Sequence, residues 1–337
     1  MLAKSPSSSD AAEPLARPDR RTMLLNVLRL GGLASASAGL AAWLGSRSKR
    51  PEEVVAPTLV RNMTVSPDSN LPEMVVVQGE TPEALVRRAV ATLGGIGRFI
   101  SRGDVVVIKP NIAWDRTPEQ AANTNPLAVA EMVRLCQEAG AARVIVTDVS
   151  CNEPRRCFQR SGIAEAARTA GAEVILPEET RFKEVDLRGE VLGAWPVFEP
   201  FLAADKMINF PVAKHHSLTG VTLGMKNWYG ILGGLRARLH QRIHESLADL
   251  ADFMRPTLTL IDAYRVLMRN GPTGGDLEDV ALKKTLIAGT DPVALDAYAA
   301  KAYWDLDARA LPYLKLAQAR GLGRADFENV RTLVVKD

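Results

Sequence analysis

The chain has four histidines, and all of them fall between positions 215 and 244. His240 and His244 stand four residues apart, a spacing that puts two imidazoles on one face of a helix, as gripping a single metal ion requires. Glu245, beside the second, would serve as an outer partner of that ion or as a base. Gln241 follows His240 and no glutamate lies between the two histidines, so this is not the His-Glu-x-x-His motif of metalloproteases. His215 and His216 are adjacent. Imidazoles titrate near neutrality, so the same residues would also serve as acid and base without a metal.

Lysines, amides and hydroxyls accompany the histidines. Lys109 and Asn111 flank Pro110, which stiffens the turn they share. Lys214 opens Lys214-His215-His216-Ser217-Leu218-Thr219-Gly220, and Lys226-Asn227 sits between Gly224 and Gly230. Cationic and amide groups on glycine-rich turns suit an anionic ligand such as a carboxylate or phosphate. Asn270-Gly271-Pro272-Thr273-Gly274-Gly275 is a further glycine-rich loop whose backbone amides could approach a ligand closely. It matches neither the P-loop nor the dinucleotide-binding spacing. No G-x-S-x-G elbow occurs, which argues against a serine hydrolase.

These residues need a frame. Continuous apolar runs predict strands at 74–77, 104–108, 143–148, 173–176, 206–210, 257–261, 284–288 and 330–335. Helical spacing covers 82–93, 126–140, a stretch ending near Gly171, 240–254, 291–304 and 309–320, with Asp291 capping a helix that Pro292 opens. Strands alternating with helices imply an α/β fold, a mainly parallel sheet with helices on both faces. Ligands of such sheets sit beyond the carboxyl ends of the strands. That rule gathers Lys109, Asn111, Asp148, the 211–219 segment and Asp262 at one rim.

A leader precedes this domain, taken as 73–337. Residues 1–19 read as a disordered N-terminus. Arg20-Arg21 followed by an uncharged apolar run from Leu30 to Leu44 matches a twin-arginine signal over 20–46. The run is too short for a spanning helix but suits a signal core, and an uncleaved anchor is the alternative. Residues 47–72, with four prolines, read as a linker. The expected partner is the twin-arginine translocation machinery, and the expected location is the periplasm or the outer face of the inner membrane. A net charge of +3, much of the excess in the leader, and 5% aromatic residues argue against a nucleic-acid partner. Of the three cysteines, Cys151 and Cys157 are close enough in sequence for a small disulfide, but free thiols are the expectation.

Several of these segments together resemble the domain of unknown function 362 family, over about residues 74–310. In the first half they are Lys109-Pro110-Asn111, the Asn123-Thr124-Asn125-Pro126 helix start and Asp148. In the centre they are Lys214-His215 through Thr219-Gly220 and Met225-Lys226-Asn227-Trp228-Tyr229-Gly230. His240 or His244, Ile261-Asp262, Gly271 to Gly275 and Asp291 to Asp296 complete the set. The resemblance implies an α/β domain, often in redox or iron–sulfur contexts, with no settled reaction and with a redox partner as one candidate. Many members carry a ferredoxin-like cysteine cluster. Three scattered cysteines cannot supply one, so an intrinsic iron–sulfur cluster is not expected. Where the family often continues with glycines after Asp262, this chain has Ala263-Tyr264-Arg265-Val266.

The expectation is an exported enzyme acting on a small anionic ligand. Lys109, Asn111, Lys214, Thr219, Asn227, Gly274 and Gly275 would bind the anion. His215, His216 and Lys226 would carry the chemistry with Asp148 and Asp262 orienting them, and a metal ion at His240 and His244 is one possible cofactor. The alternative is a non-catalytic periplasmic binding protein or carrier for a metal or organic anion.

Overall fold

Runs such as Met74-Val75-Val76-Val77 and Val105-Val106-Val107-Ile108 are apolar at every position, so strands built from them must be covered on both faces. The computed structural model, which describes residues 19–21, 24 and 62–336, shows that arrangement. In chain order the elements are β1 (Met74–Gln78), α1 (Pro82–Thr92), β2 (Val105–Pro110), α2 (Pro126–Glu138), β3 (Arg143–Val146), α3 (Pro154–Arg160) and α4 (Ile163–Thr169). Then come β4 (Glu173–Val174), β5 (Phe182–Asp186), β6 (Ala194–Phe198), α5 (Glu199–Ala203), β7 (Lys206–Phe210), β8 (Val212–His216), β9 (Gly220–Thr222) and α6 (Gly224–Asn227). The last are α7 (Ile243–Phe253), β10 (Leu258–Leu267), β11 (Val280–Gly289), α8 (Pro292–Trp304), α9 (Pro312–Ala319) and β12 (Thr332–Lys336).

The main sheet runs β12-β1-β11-β10-β7-β2-β3-β4. Every pairing along it is parallel except those of β11, which runs against both β1 and β10. Alternate residues of each strand feed two separate cores. Val75, Val77, Val106, Ile108 and Ile208 pack with α1, α2 and α4 on one face. Val76, Val107, Met207, Ile261 and Ile287 pack with α7, α8 and α9 on the other. Helix starts are set locally. Thr81, Asn125 and Asp291 each accept a backbone amide at the first turn, and a proline follows each one.

Several boundaries depart from the sequence expectation. The segment after Phe210, expected as a loop, is the β8–β9 hairpin, and β10 reaches Leu267 because it pairs first with β7 and then, past Pro211, with β8. The β5–β6 hairpin was not anticipated, because its alternation is weak and Lys183 and Glu184 are exposed. The helix expected over 240–254 begins only at Ile243, since Arg242 leaves helical geometry at φ −132° and ψ 64°. Within the expected linker, Met63 is buried in the core, so 62–72 belongs with the domain.

The chain divides into two units, Met1–Val54 and Val55–Asp337. In the first, Arg20, Arg21 and Leu24 are helical, and the amide of Arg21 donates to Asp19 Oδ1 at 2.8 Å. The apolar run 30–44 lies outside the described residues. Among the described residues, no helix is long and apolar enough to cross a membrane.

Candidate functional site

Lys109 is the next-to-last residue of β2 and Asn209 is its direct partner on β7. Polar side chains this deep in a sheet must find partners or forfeit their hydration. Lys109 is fully buried and donates to Asp148 Oδ1 at 2.6 Å, Asn227 Oδ1 at 3.0 Å and the Pro110 carbonyl at 3.0 Å. Asp148, two residues past β3, uses its other oxygen to accept the Ile112 amide at 2.6 Å. Asn227 donates to Asn209 Oδ1 at 2.8 Å, and Asn209 donates in turn to the Gly224 carbonyl at 2.9 Å. Asp296 of α8 accepts the amides of Gly224 and Met225 at 2.7 and 3.0 Å, which anchors the start of α6. Burial pushes the Asp296 carboxyl up to about 7.

This network forms one wall of a cavity of roughly 180 Å³ at the carboxyl ends of β2, β3 and β7, where an open α/β sheet presents its ligand site. Its lining includes Lys109, Asn111, Asp148, Lys214, Lys226, Asn227, Arg236, His216 and His240, with Trp114 and Tyr229 as aromatic surfaces and Cys151, Thr222, Gly230 and Pro272 among the rest. Four cationic side chains thus face a single carboxylate, and Lys109 already holds that carboxylate. Lys214, nearly fully buried, donates to the Ala122 carbonyl at 2.6 Å and to Asn111 Oδ1 at 3.1 Å. The ammonium of Lys226 lies 3.6 Å from the centre of the Tyr229 ring. Burial pulls both lysines down to about 7, and their mutual or neighbouring positive charges add to that pull. The Arg236 guanidinium is tied to the backbone carbonyls of Val149, Ser150 and Tyr229.

His216 also borders the cavity. Its Nδ1 accepts the amides of Leu218 and Thr219 at 3.1 and 3.4 Å, so the ring proton sits on Nε2. Burial, then the nearby Lys226 and Lys214, hold its pKa at about 3, so the ring stays neutral. His240 packs edge-on against Tyr229 with ring centres 5.5 Å apart.

Six expected site residues lie elsewhere. His215 alternates to the opposite side of β8 from Lys214 and His216, and its Nδ1 accepts the Gly271 amide at 3.2 Å. Asp262 orients no imidazole. Its two oxygens accept the amides of Asn125 and Tyr264, which holds the start of α2. The Thr219 hydroxyl is spent on the Val221 carbonyl. Gly274 and Gly275 present carbonyls to Arg116 and Gln120. His244 stacks parallel to Tyr313, away from the cavity. With the helix broken at Arg242, the shared face that a His240–His244 metal pair needs is not formed. Among the described residues no group of three or more His, Cys, Asp or Glu side chains is placed to hold a metal ion. All three cysteines are free. Asp148 was expected to orient a histidine and instead pairs with a lysine.

Sequence reasoning missed Asn209, although an amide inside Lys-Met-Ile-Asn-Phe, an otherwise apolar strand, was a visible signal. Asp296 was read one turn into the helix that Pro292 opens, as a residue able to face the site; its carboxylate holds the start of α6 instead. Tyr229 lay within the Met225 to Gly230 segment but was given no role, and Arg236 and Trp114 carried no local signal, because their place at the cavity depends on how distant segments fold over the sheet.

The sequence is 27% identical over 247 residues to a thylakoid-associated protein of Synechocystis sp., an alignment covering 71% of this chain and 75% of that protein. A structural likeness to the lactate racemase apoprotein from Thermoanaerobacterium thermosaccharolyticum has a TM-score of 0.38 at 12% identity, covering 67% of this chain and 56% of that one, little more than half its length. A family model described as Domain of unknown function (DUF362) matches residues 106–301, a span that holds every residue lining the cavity. The chain belongs to that family.

Proposed function

We propose that this chain is an exported enzyme that binds a small organic anion in the cavity and moves protons on it. The observation that carries the reading is the surplus of cationic side chains there, with Lys214 and Lys226 buried and, among the described residues, neither in an ion pair with a carboxylate. Buried charge without a counter-ion is costly, and an incoming anion would remove that cost. Chemistry rather than storage is supported by the amines themselves, because groups that titrate near the working pH serve best as acid and base.

The pH dependence follows from the sign of the shift. Burial draws Lys214 and Lys226 down to about 7. Below that pH they are charged and attract an anion; as pH rises through 7 they lose that charge. Affinity for small carboxylates is therefore expected to be highest below pH 7 and to fall above it. Binding near pH 7 should draw protons from the buffer, because the anion raises both amine pKa values. Titration calorimetry in buffers of different ionisation enthalpy measures both effects. Lys226→Met should weaken binding about 10- to 100-fold, the worth of a charge-assisted contact. Affinity that is flat with pH, with no proton uptake, would remove the basis of the proposal.

Export through the twin-arginine route is supported by Arg20-Arg21 ahead of the uncharged run 30–44. The thylakoid association of the Synechocystis relative agrees with a membrane-linked setting. Changing Arg20→Lys and Arg21→Lys together should leave the protein in the cytoplasm, as read by cell fractionation. Unchanged delivery of that variant across the membrane would defeat the proposed route.

A further inference from the structure

The three cavity lysines differ in how many of their N–H donors are already spent. A lysine ammonium has three. Lys109 donates to Pro110, Asp148 and Asn227, so all three are committed. Lys214 donates to Asn111 and Ala122, which leaves one. Lys226 is nine-tenths buried, yet among the described residues no oxygen accepts a hydrogen bond from it; its nitrogen rests on the Tyr229 ring. Its backbone is held firmly on both sides, by Asp296 through Gly224 and Met225 and by Asn227 through the Lys109 network. The result is an amine on a rigid support, bordering a small cavity, with no proton acceptor of its own.

Resting on the reading that the cavity takes a small anion, we propose that the anion also carries a carbonyl group, as a 2-oxo acid does, and that Lys226 captures it as an imine. The uncommitted N–H of Lys214 takes the carboxylate. The neutral Nζ of Lys226 adds to the carbonyl carbon, and one of its protons passes to the oxygen to form a carbinolamine. The carbon–oxygen bond then breaks and the oxygen leaves as water with the second nitrogen proton, giving C=N. No oxidant or reductant enters. Imine formation needs the uncharged amine, and at pH 7 an ordinary lysine is uncharged in only about one molecule in 2,500. Drawn down to about 7 by burial, the Lys226 amine is uncharged in roughly half of the chains before the ligand arrives, which gives it its advantage over surface lysines.

The test is reductive trapping. The full chain is incubated near pH 7 with pyruvate or 2-oxoglutarate and cyanoborohydride, digested, and mapped by mass spectrometry. The expected result is one adduct per chain, on Lys226, at least about tenfold above any exposed lysine, and suppressed by malonate, which has no reactive ketone. Label spread over surface lysines as in urea-unfolded chain, or placed on Lys214 instead, overturns the proposal. Lys226→Arg, checked as folded by its thermal unfolding transition, should form no adduct; an adduct as strong as in the parent chain also overturns the proposal. The two readings fail separately. If malonate binds by calorimetry and no imine is trapped, the imine is wrong and the anion site stands. If no carboxylate binds at all, both fall.

Discussion

Asp148→Ala is expected to destabilise the domain by about 3–5 kcal/mol, as removal of one partner from a buried ion pair does. The loss has two sources in this structure. Lys109, fully buried, would keep its ammonium without the carboxylate now 2.6 Å away. The Ile112 amide would lose the other carboxylate oxygen. Burial already draws the Lys109 pKa below its ordinary value, and Asp148 is the main force opposing that. Removing Asp148 should therefore make the buried Lys109 ammonium more costly to hold, with fewer reasons for Asn227 and Asn111 to keep their places. Urea unfolding of the single variants and of Lys109→Met with Asp148→Ala measures the coupling. The double variant should be more stable than the sum of the two single losses predicts, because removing both partners leaves no orphaned charge. Strict additivity, or a loss under about 1 kcal/mol for Asp148→Ala, would show that the pair does not hold this rim together.

Gly230→Ala should cost about 2–4 kcal/mol and weaken anion binding with it, through overpacking of a site that cannot relax. A methyl group on Gly230 would stand 1.9 Å from Asp148 Oδ1 and 2.6 Å from Lys109 Nζ. Both atoms belong to the ion pair, so neither is the free end of a flexible side chain. The backbone cannot easily retreat, because the Gly230 carbonyl accepts the Val149 amide at 2.8 Å. Thermal unfolding and calorimetry on the same variant would read both losses. A contrasting substitution, Gly193→Ala, meets nothing within 4 Å among the described residues and should change neither. A Gly230→Ala protein as stable as the parent would mean that the pair can shift without penalty.

These two expectations concern residues whose importance the sequence conveyed very unequally. Lys109 and Asp148 were legible as polar residues at the ends of apolar strands. Gly230 looked like any glycine in a turn, since the atoms it must avoid come from segments more than 80 positions earlier. Asp148 and Asp262 looked equivalent on the page. One meets a lysine and the other meets two backbone amides, and no local pattern distinguishes them.

By itself the sequence determined what nearest neighbours along the chain can decide. β-branched runs make strands, a capping side chain followed by proline starts a helix, and the strand–helix alternation implies a sheet covered on both faces, with the rim of its carboxyl ends as the place for ligands. Tertiary structure alone decided which sequence neighbours remain spatial neighbours. His215 and His216 part company because pairing with β10 turns their segment into a strand, and a strand sends adjacent side chains to opposite sides. His240 and His244 part because the chain leaves helical geometry between them. In the first case the conformation is set by pairing with a distant strand, whose free energy outweighs the weak local preference of a short polar segment.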